Sequence, residues 1–68
     1  MENKFKNILK ELRLDNNIGQ VKLAKEIGVS KGVVSMWENG LREPTMSSLV
    51  AIADYFGVSI DFLVGREN

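Results

Sequence analysis

The stretch from Gln20 to Trp37 constrains this chain more than any other part of it. Leu23, Ala24 and Ile27 recur at helical spacing, and so do Val34 and Trp37. Between them lie Gly28, Val29 and Ser30. Two short helices joined by a turn of about three residues must cross at a steep angle. Their crossing needs a small side chain, and Ala24 supplies it. The turn needs a residue that tolerates positive φ, and Gly28 supplies it. The second helix needs a branched apolar residue to dock on the first, and Val34 supplies that. Ser30 is a good N-cap for the second helix.

The remaining sequence builds a helical frame around this corner. Phe5, Ile8, Leu9 and Leu12 form one apolar stripe, which predicts a helix over about Lys4–Asn16. Gly19 serves as the N-cap of the helix over about Gln20–Ile27, and the next helix runs from after Ser30 to about Asn39. Gly40 to Pro44 reads as a loop. Thr45 caps a fourth helix with Leu49, Ile52, Ala53 and Phe56 inward, and Gly57 ends it. Ser59 caps a short fifth helix with Asp61 in its first turn and Leu63 inward, stopped by Gly65. Sustained alternation and hairpin dipeptides are missing, so the expected class is all-α with five helices in one domain over 1–68.

Composition closes off other functions. The 68 residues include no Cys and no His, which removes disulfides, thiolate nucleophiles and the commonest metal ligand. Asp54, Asp61 and the glutamates fall at helix-surface or cap positions and read as solvated charge. Gly28, Gly32 and Gly40 are too dispersed to cradle a phosphate. No catalytic residues, no metal site, no cofactor and no small-molecule ligand are therefore expected. No apolar run approaches the roughly 20 residues of a membrane span, and the first ten residues lack a signal-peptide core. A cytoplasmic protein is the expectation. Nine basic and nine acidic residues give zero net charge. A nucleic-acid ligand then requires that the charges be unevenly distributed.

The chain resembles the Cro/cI-type helix-turn-helix family, the lambda-repressor-like fold. The matching text is Glu11-Leu12-Arg13, Gln20, Leu23-Ala24, Gly28-Val29-Ser30, Val34-Ser35, Trp37 to Gly40 and Arg42 to Pro44. It continues through Leu49, Ile52-Ala53, Phe56 to Ser59, Asp61 and Leu63 to Gly65. The resemblance implies a helix-turn-helix at about 20–39 whose second helix enters the major groove of double-stranded DNA. It implies that Gln20 binds a phosphate and braces that helix, and that Arg13 pairs with Glu38. Lys31, Gly32, Val33, Ser35 and Met36 are the outward positions of the recognition helix. Lys31 can reach guanine or a phosphate, and Ser35 either kind of group. Val33 and Met36 can touch only thymine methyls and sugar edges. Asn39 and Arg42 match the family's phosphate-gripping loop, whereas Leu41 departs from its usual polar residue. Gly32, Val33 and Met36 also depart from the usual polar pattern. Trp37 is expected in the core.

The implied function is that of a sequence-specific transcriptional regulator, a repressor acting by occupancy as a homodimer on an inverted-repeat operator. Ile60, Phe62 and Val64 cannot all face inward from so short a helix, so they form the candidate dimer surface. Packing of Phe62 on Tyr55 and Leu9 is the intramolecular alternative. The competing function is a protein-interaction module of antitoxin or antirepressor type. Apolar Val33, Met36 and Leu41 and the zero net charge favour it.

Overall fold

The computed structural model describes residues 4–66; the two ends of the expected 1–68 domain, 1–3 and 67–68, lie outside them. Five helices follow one another: α1 (Phe5–Asp15), α2 (Gln20–Ile27), α3 (Lys31–Glu38), α4 (Met46–Phe56) and α5 (Ile60–Leu63). No strand occurs among the described residues.

Local chemistry accounts for each boundary. Ser30, Thr45 and Ser59 accept hydrogen bonds from the amides of Val33, Ser48 and Phe62, at 3.2, 3.1 and 2.9 Å. These caps satisfy amides that a helix start leaves orphaned. The helix ends share one device, a left-handed residue followed by an amide that reaches back to a carbonyl in the last turn. At the end of α2 that residue is Gly28, with φ 78°, and the Val29 amide reaches Ala24 O at 2.9 Å. A side chain at Gly28 would touch nothing within 4 Å, so glycine serves backbone conformation there, not space. At the end of α1 the left-handed residue is Asn17, with φ 56°, one of the few non-glycine types that tolerates it.

The core is assembled from the predicted stripes. Phe5, Leu9, Leu23, Ala24, Val34, Trp37, Ile52, Ala53 and Leu63 are buried. Ile8, Leu12, Ile27, Leu49 and Phe56 pack against them half-buried. Phe5 meets the Trp37 ring edge to face, with centroids 6.1 Å apart, a favoured aromatic geometry. The α3 helix packs on both α1 and α2. Buried Val34 and Trp37 anchor it there, and its opposite face is left outward.

Candidate nucleic-acid interface

The outward face of α3 follows from its anchors. Residues one helical turn apart share a face, which groups Lys31, Ser35 and Asn39 in one row and Gly32 and Met36 in the next. Lys31 and Gly32 are exposed, while Ser35 and Met36 are half-buried. Val33 departs from the outward expectation. It is half-buried and packs against the core, because it borders the arc that Val34 occupies. Only part of its surface can meet a ligand.

Gly32 is not required by the fold. Its backbone is helical, and a Cβ there would meet nothing closer than Ser30 Oγ at 3.8 Å. Gly32 lies in the first turn of α3, where the helix-interior cost of glycine relative to alanine, about 1 kcal/mol, applies only in part. The fold therefore bears a cost at this position and gains no packing from it.

A polar clamp fixes the angle of α3. Arg13 Nε donates to Glu38 Oε2 at 2.8 Å, and Arg13 Nη2 donates to Oε1 at 2.9 Å. Arg13 Nη1 donates to Ile18 O at 3.1 Å. Gln20 Nε2 donates to Glu38 Oε1 at 3.1 Å. Burial pushes the Glu38 carboxyl up. The hydrogen bonds from Arg13 and Gln20, with the charges of Arg13 and Lys10, outweigh it and hold the carboxyl below its ordinary value. The hydrogen bond to Glu38 raises the already high Arg13 value against the cost of burial. Gln20 thus sits at the first position of α2 and is tied to the last residue of α3. Half-buried itself, it is positioned by the same carboxylate that holds Arg13.

At the end of α3, exposed Asn39 has a partner within the chain. The Asn39 Nδ2 group donates to Ser35 O at 2.8 Å and lies 3.4 Å from Ser35 Oγ. It closes the helix end, which leaves its Oδ1 for an outside partner. Arg42 is exposed. Lys6 joins this loop, although sequence spacing gives no sign of it. Its side chain crosses Gly40, where a Cβ would lie 3.1 Å from Lys6 Cδ and 3.5 Å from Nζ.

Charge is unevenly distributed, as a polyanion ligand would require. The span from Lys4 to Arg42 carries eight of the nine basic residues and four acidic ones, a surplus of four positive charges. From Glu43 onward there are one basic and four acidic residues. The neutral total hides a basic portion that contains α1, α2 and α3.

At the other end, the dimer candidates separate. Ile60 is half-buried against the core. Val64 is half-buried and lines a cleft with Phe5, Glu43, Pro44 and Leu49. Phe62 is 38% exposed. The cleft holds about 170 Å³, below the roughly 300–1,000 Å³ typical of small-molecule sites. Among the described residues, no group of three or more acidic, His or Cys side chains is placed to hold a metal. No helix there is long and apolar enough to cross a membrane.

Comparison with known proteins agrees with this geometry. The helix-turn-helix family model matches residues 9–63. The HTH-type transcriptional activator BcrR of Enterococcus faecalis is 39% identical over 64 residues, which are 94% of this chain and 31% of BcrR. The cryptic phage CTXphi transcriptional repressor RstR of Vibrio cholerae is 43% identical over 63 residues, 93% of this chain and 56% of RstR. The chain therefore spans less than two thirds of either relative. Among solved structures, the P22 c2 repressor in complex with a synthetic operator superposes with a TM-score of 0.87 at 28% identity. That match covers 93% of this chain and 96% of the repressor. On its residue pattern, its five-helix architecture and these likenesses, the chain belongs to the Cro/cI-type helix-turn-helix family of lambda-repressor-like DNA-binding domains.

Proposed function

We propose that this chain is a sequence-specific, double-stranded DNA-binding transcriptional regulator that acts as a homodimer on an inverted repeat. One observation carries the reading. The face of α3 bearing Lys31, Gly32, Ser35 and Met36 stands outward on a helix that Val34, Trp37 and the Arg13–Glu38 pair hold rigidly. The P22 c2 repressor, solved on an operator, supports a DNA ligand for this face. Lys31 and Ser35 supply the polar contacts to base edges or phosphates. Gln20, Asn39 and Arg42, joined by Lys6, grip the backbone on either side. Lone domains of this size bury on the order of 600–1,000 Å² on DNA, and a second copy doubles that area. Phe62 is the residue through which the copies meet. Regulation is by occupancy, without catalysis, in the cytoplasm. The named relatives include both an activator and a repressor, so its sign depends on where the operator lies.

The test is selection from random duplex DNA at about 0.1 M salt, where phosphate contacts are neither saturated nor lost. Enrichment of an inverted repeat with half-sites about one helical turn, roughly 10 base pairs, apart is the expected result. A pool that stays random would overturn the reading. It would leave the protein-interaction module, for which Leu41, 76% exposed beside α3, is the supporting observation.

A further inference from the structure

Alone among the asparagines of this chain, Asn39 is followed by a glycine. A backbone nitrogen can attack the side-chain amide carbon of the asparagine before it, and a glycine at that nitrogen puts no Cβ in the way. Asn7, Asn16 and Asn17 each precede a residue that carries one. Asn39 is exposed and is the C-cap of α3, with ψ 3°. At this ψ the Gly40 nitrogen is turned away from the Asn39 side chain. The Gly40 amide donates to Trp37 O at 3.2 Å, and Asn39 Nδ2 donates to Ser35 O at 2.8 Å. The native helix end thus holds the two reacting groups apart. Helix ends fray, and such local openings cost far less than global unfolding.

We propose that Asn39–Gly40 is a spontaneous modification site, gated by the end of α3, whose reaction disables the DNA-gripping loop. The Gly40 nitrogen bonds to Asn39 Cγ, the bond from Cγ to Nδ2 breaks, and ammonia leaves with the Gly40 amide proton. Water then opens the resulting imide at either carbonyl, which gives aspartate or isoaspartate. No other reactant is needed. Either product puts a carboxylate at the C-terminal end of a helix, where the dipole is already negative, and removes the donor that caps Ser35 O. Isoaspartate also adds one carbon to the backbone, beneath the Leu41 amide that reaches Met36 O at 2.9 Å. The new charge stands in a loop whose cations are Arg42 and Lys6, with Lys6 Nζ 3.5 Å from the place of a Gly40 Cβ. The loss of binding rests on the DNA-binding reading above; the reaction itself does not.

The test holds the full chain at body temperature in mildly alkaline buffer, with and without urea, and follows each asparagine by digestion and mass spectrometry. Asn39 in the folded chain should convert ahead of every other asparagine, and many times faster in urea. The converted protein, separated by anion exchange, should keep the parent's helical circular dichroism. On the duplex obtained by selection it should bind about tenfold more weakly at about 0.1 M salt, the worth of one phosphate contact. Asn39→Asp, made directly, should show the same weakening without ageing. The proposal is overturned if Asn39 in the folded chain converts no faster than Asn7, Asn16 and Asn17, or if urea leaves its rate unchanged. It is equally overturned if the converted protein and Asn39→Asp bind the duplex as the parent does. Those results leave the DNA-binding reading standing. A parent that selects no duplex overturns that reading and the loss of binding together, and the mass measurement alone then decides the reaction.

Discussion

Arg13 and Glu38 join the last turn of the chain's first helix to the end of its recognition helix. They form two parallel hydrogen bonds, at 2.8 and 2.9 Å, between side chains only 10% and 4% exposed. A bidentate pair fixes direction as well as distance. With Val34 and Trp37 it leaves α3 one orientation relative to α1.

Removing one partner should therefore cost more than removing both. Arg13→Ala leaves the Glu38 carboxylate in a buried position without its counter-charge, and truncations of this kind cost about 3–5 kcal/mol. For a chain of this length that is much of the whole stability. Replacing the pair together by Arg13→Met and Glu38→Leu should cost distinctly less, because no buried charge is stranded. Urea unfolding of the three proteins decides the matter. A single variant within about 1 kcal/mol of the parent would mean that the pair behaves as a solvated surface bridge.

The same pair sets an acid limit. The Glu38 carboxyl titrates below its ordinary value of 4.5 in the folded protein. A depressed folded value contributes stability that is fully present above the unfolded value. It is lost as pH falls through the folded one. The melting temperature should thus be flat in this respect above about pH 5 and decline from about 4.5 downward. Glu38→Gln should be less stable than the parent at neutral pH, and its acid decline should be shallower. Parallel curves for the two proteins would assign acid unfolding to other carboxyls.

Most of the frame was legible from the residues because helix period and caps are local. Ser30, Thr45 and Ser59 occupy the predicted caps, and the inward residues of each stripe lie in or against the core. Legibility fails where a residue's role depends on a distant partner. Val33 borders the apolar arc of α3, and periodicity gives its direction without giving the neighbours that half-bury it. Ile60 and Val64 are drawn inward by the core and by the Phe5–Leu49 cleft, which leaves Phe62 as the outward member of that trio. The link from Gln20 to Glu38 spans 18 residues, and the placing of Lys6 across Gly40 depends on packing of α1 beside the end of α3. Neither has a signature in spacing. Trp37 is inward as expected, yet its indole Nε1 is buried without a hydrogen-bond partner, a detail that helical spacing could not reveal.

Gln20 and Lys31 should separate bracing from reading. Lys31 is exposed at the start of α3. Lys31→Ala should leave unfolding unchanged and weaken DNA binding. If its partner is a phosphate, the slope of log affinity against log salt should fall by about 0.9. If its partner is a guanine, discrimination at one base pair should relax by about 1–3 kcal/mol. Gln20→Ala removes a hydrogen bond to the Glu38 carboxylate and, on the proposed docking, a contact to the DNA backbone. It should lose about 1 kcal/mol of stability together with affinity, and keep its preference among sequences. Both variants should retain the helical circular dichroism of the parent. Full DNA affinity in both would refute the proposed docking of α2 and α3.

Phe62 carries the prediction about assembly. It is 38% exposed, while Ile60 packs inward and Val64 lines the cleft beside it. A charge at position 62 should then trouble a partner more than the monomer. Phe62→Glu should keep the parent's unfolding free energy to within about 1 kcal/mol, because the phenyl ring is not in the core. It should sediment as a monomer at concentrations where the parent is a dimer. On DNA it should lose affinity for the complete inverted repeat and keep its affinity for one half-site, because the α3 face is untouched. Such a split follows from linked binding, in which the second half-site adds affinity only while the two copies remain joined. If Phe62→Glu binds the whole repeat as the parent does, Phe62 is no dimer contact, and the copies meet elsewhere or not at all.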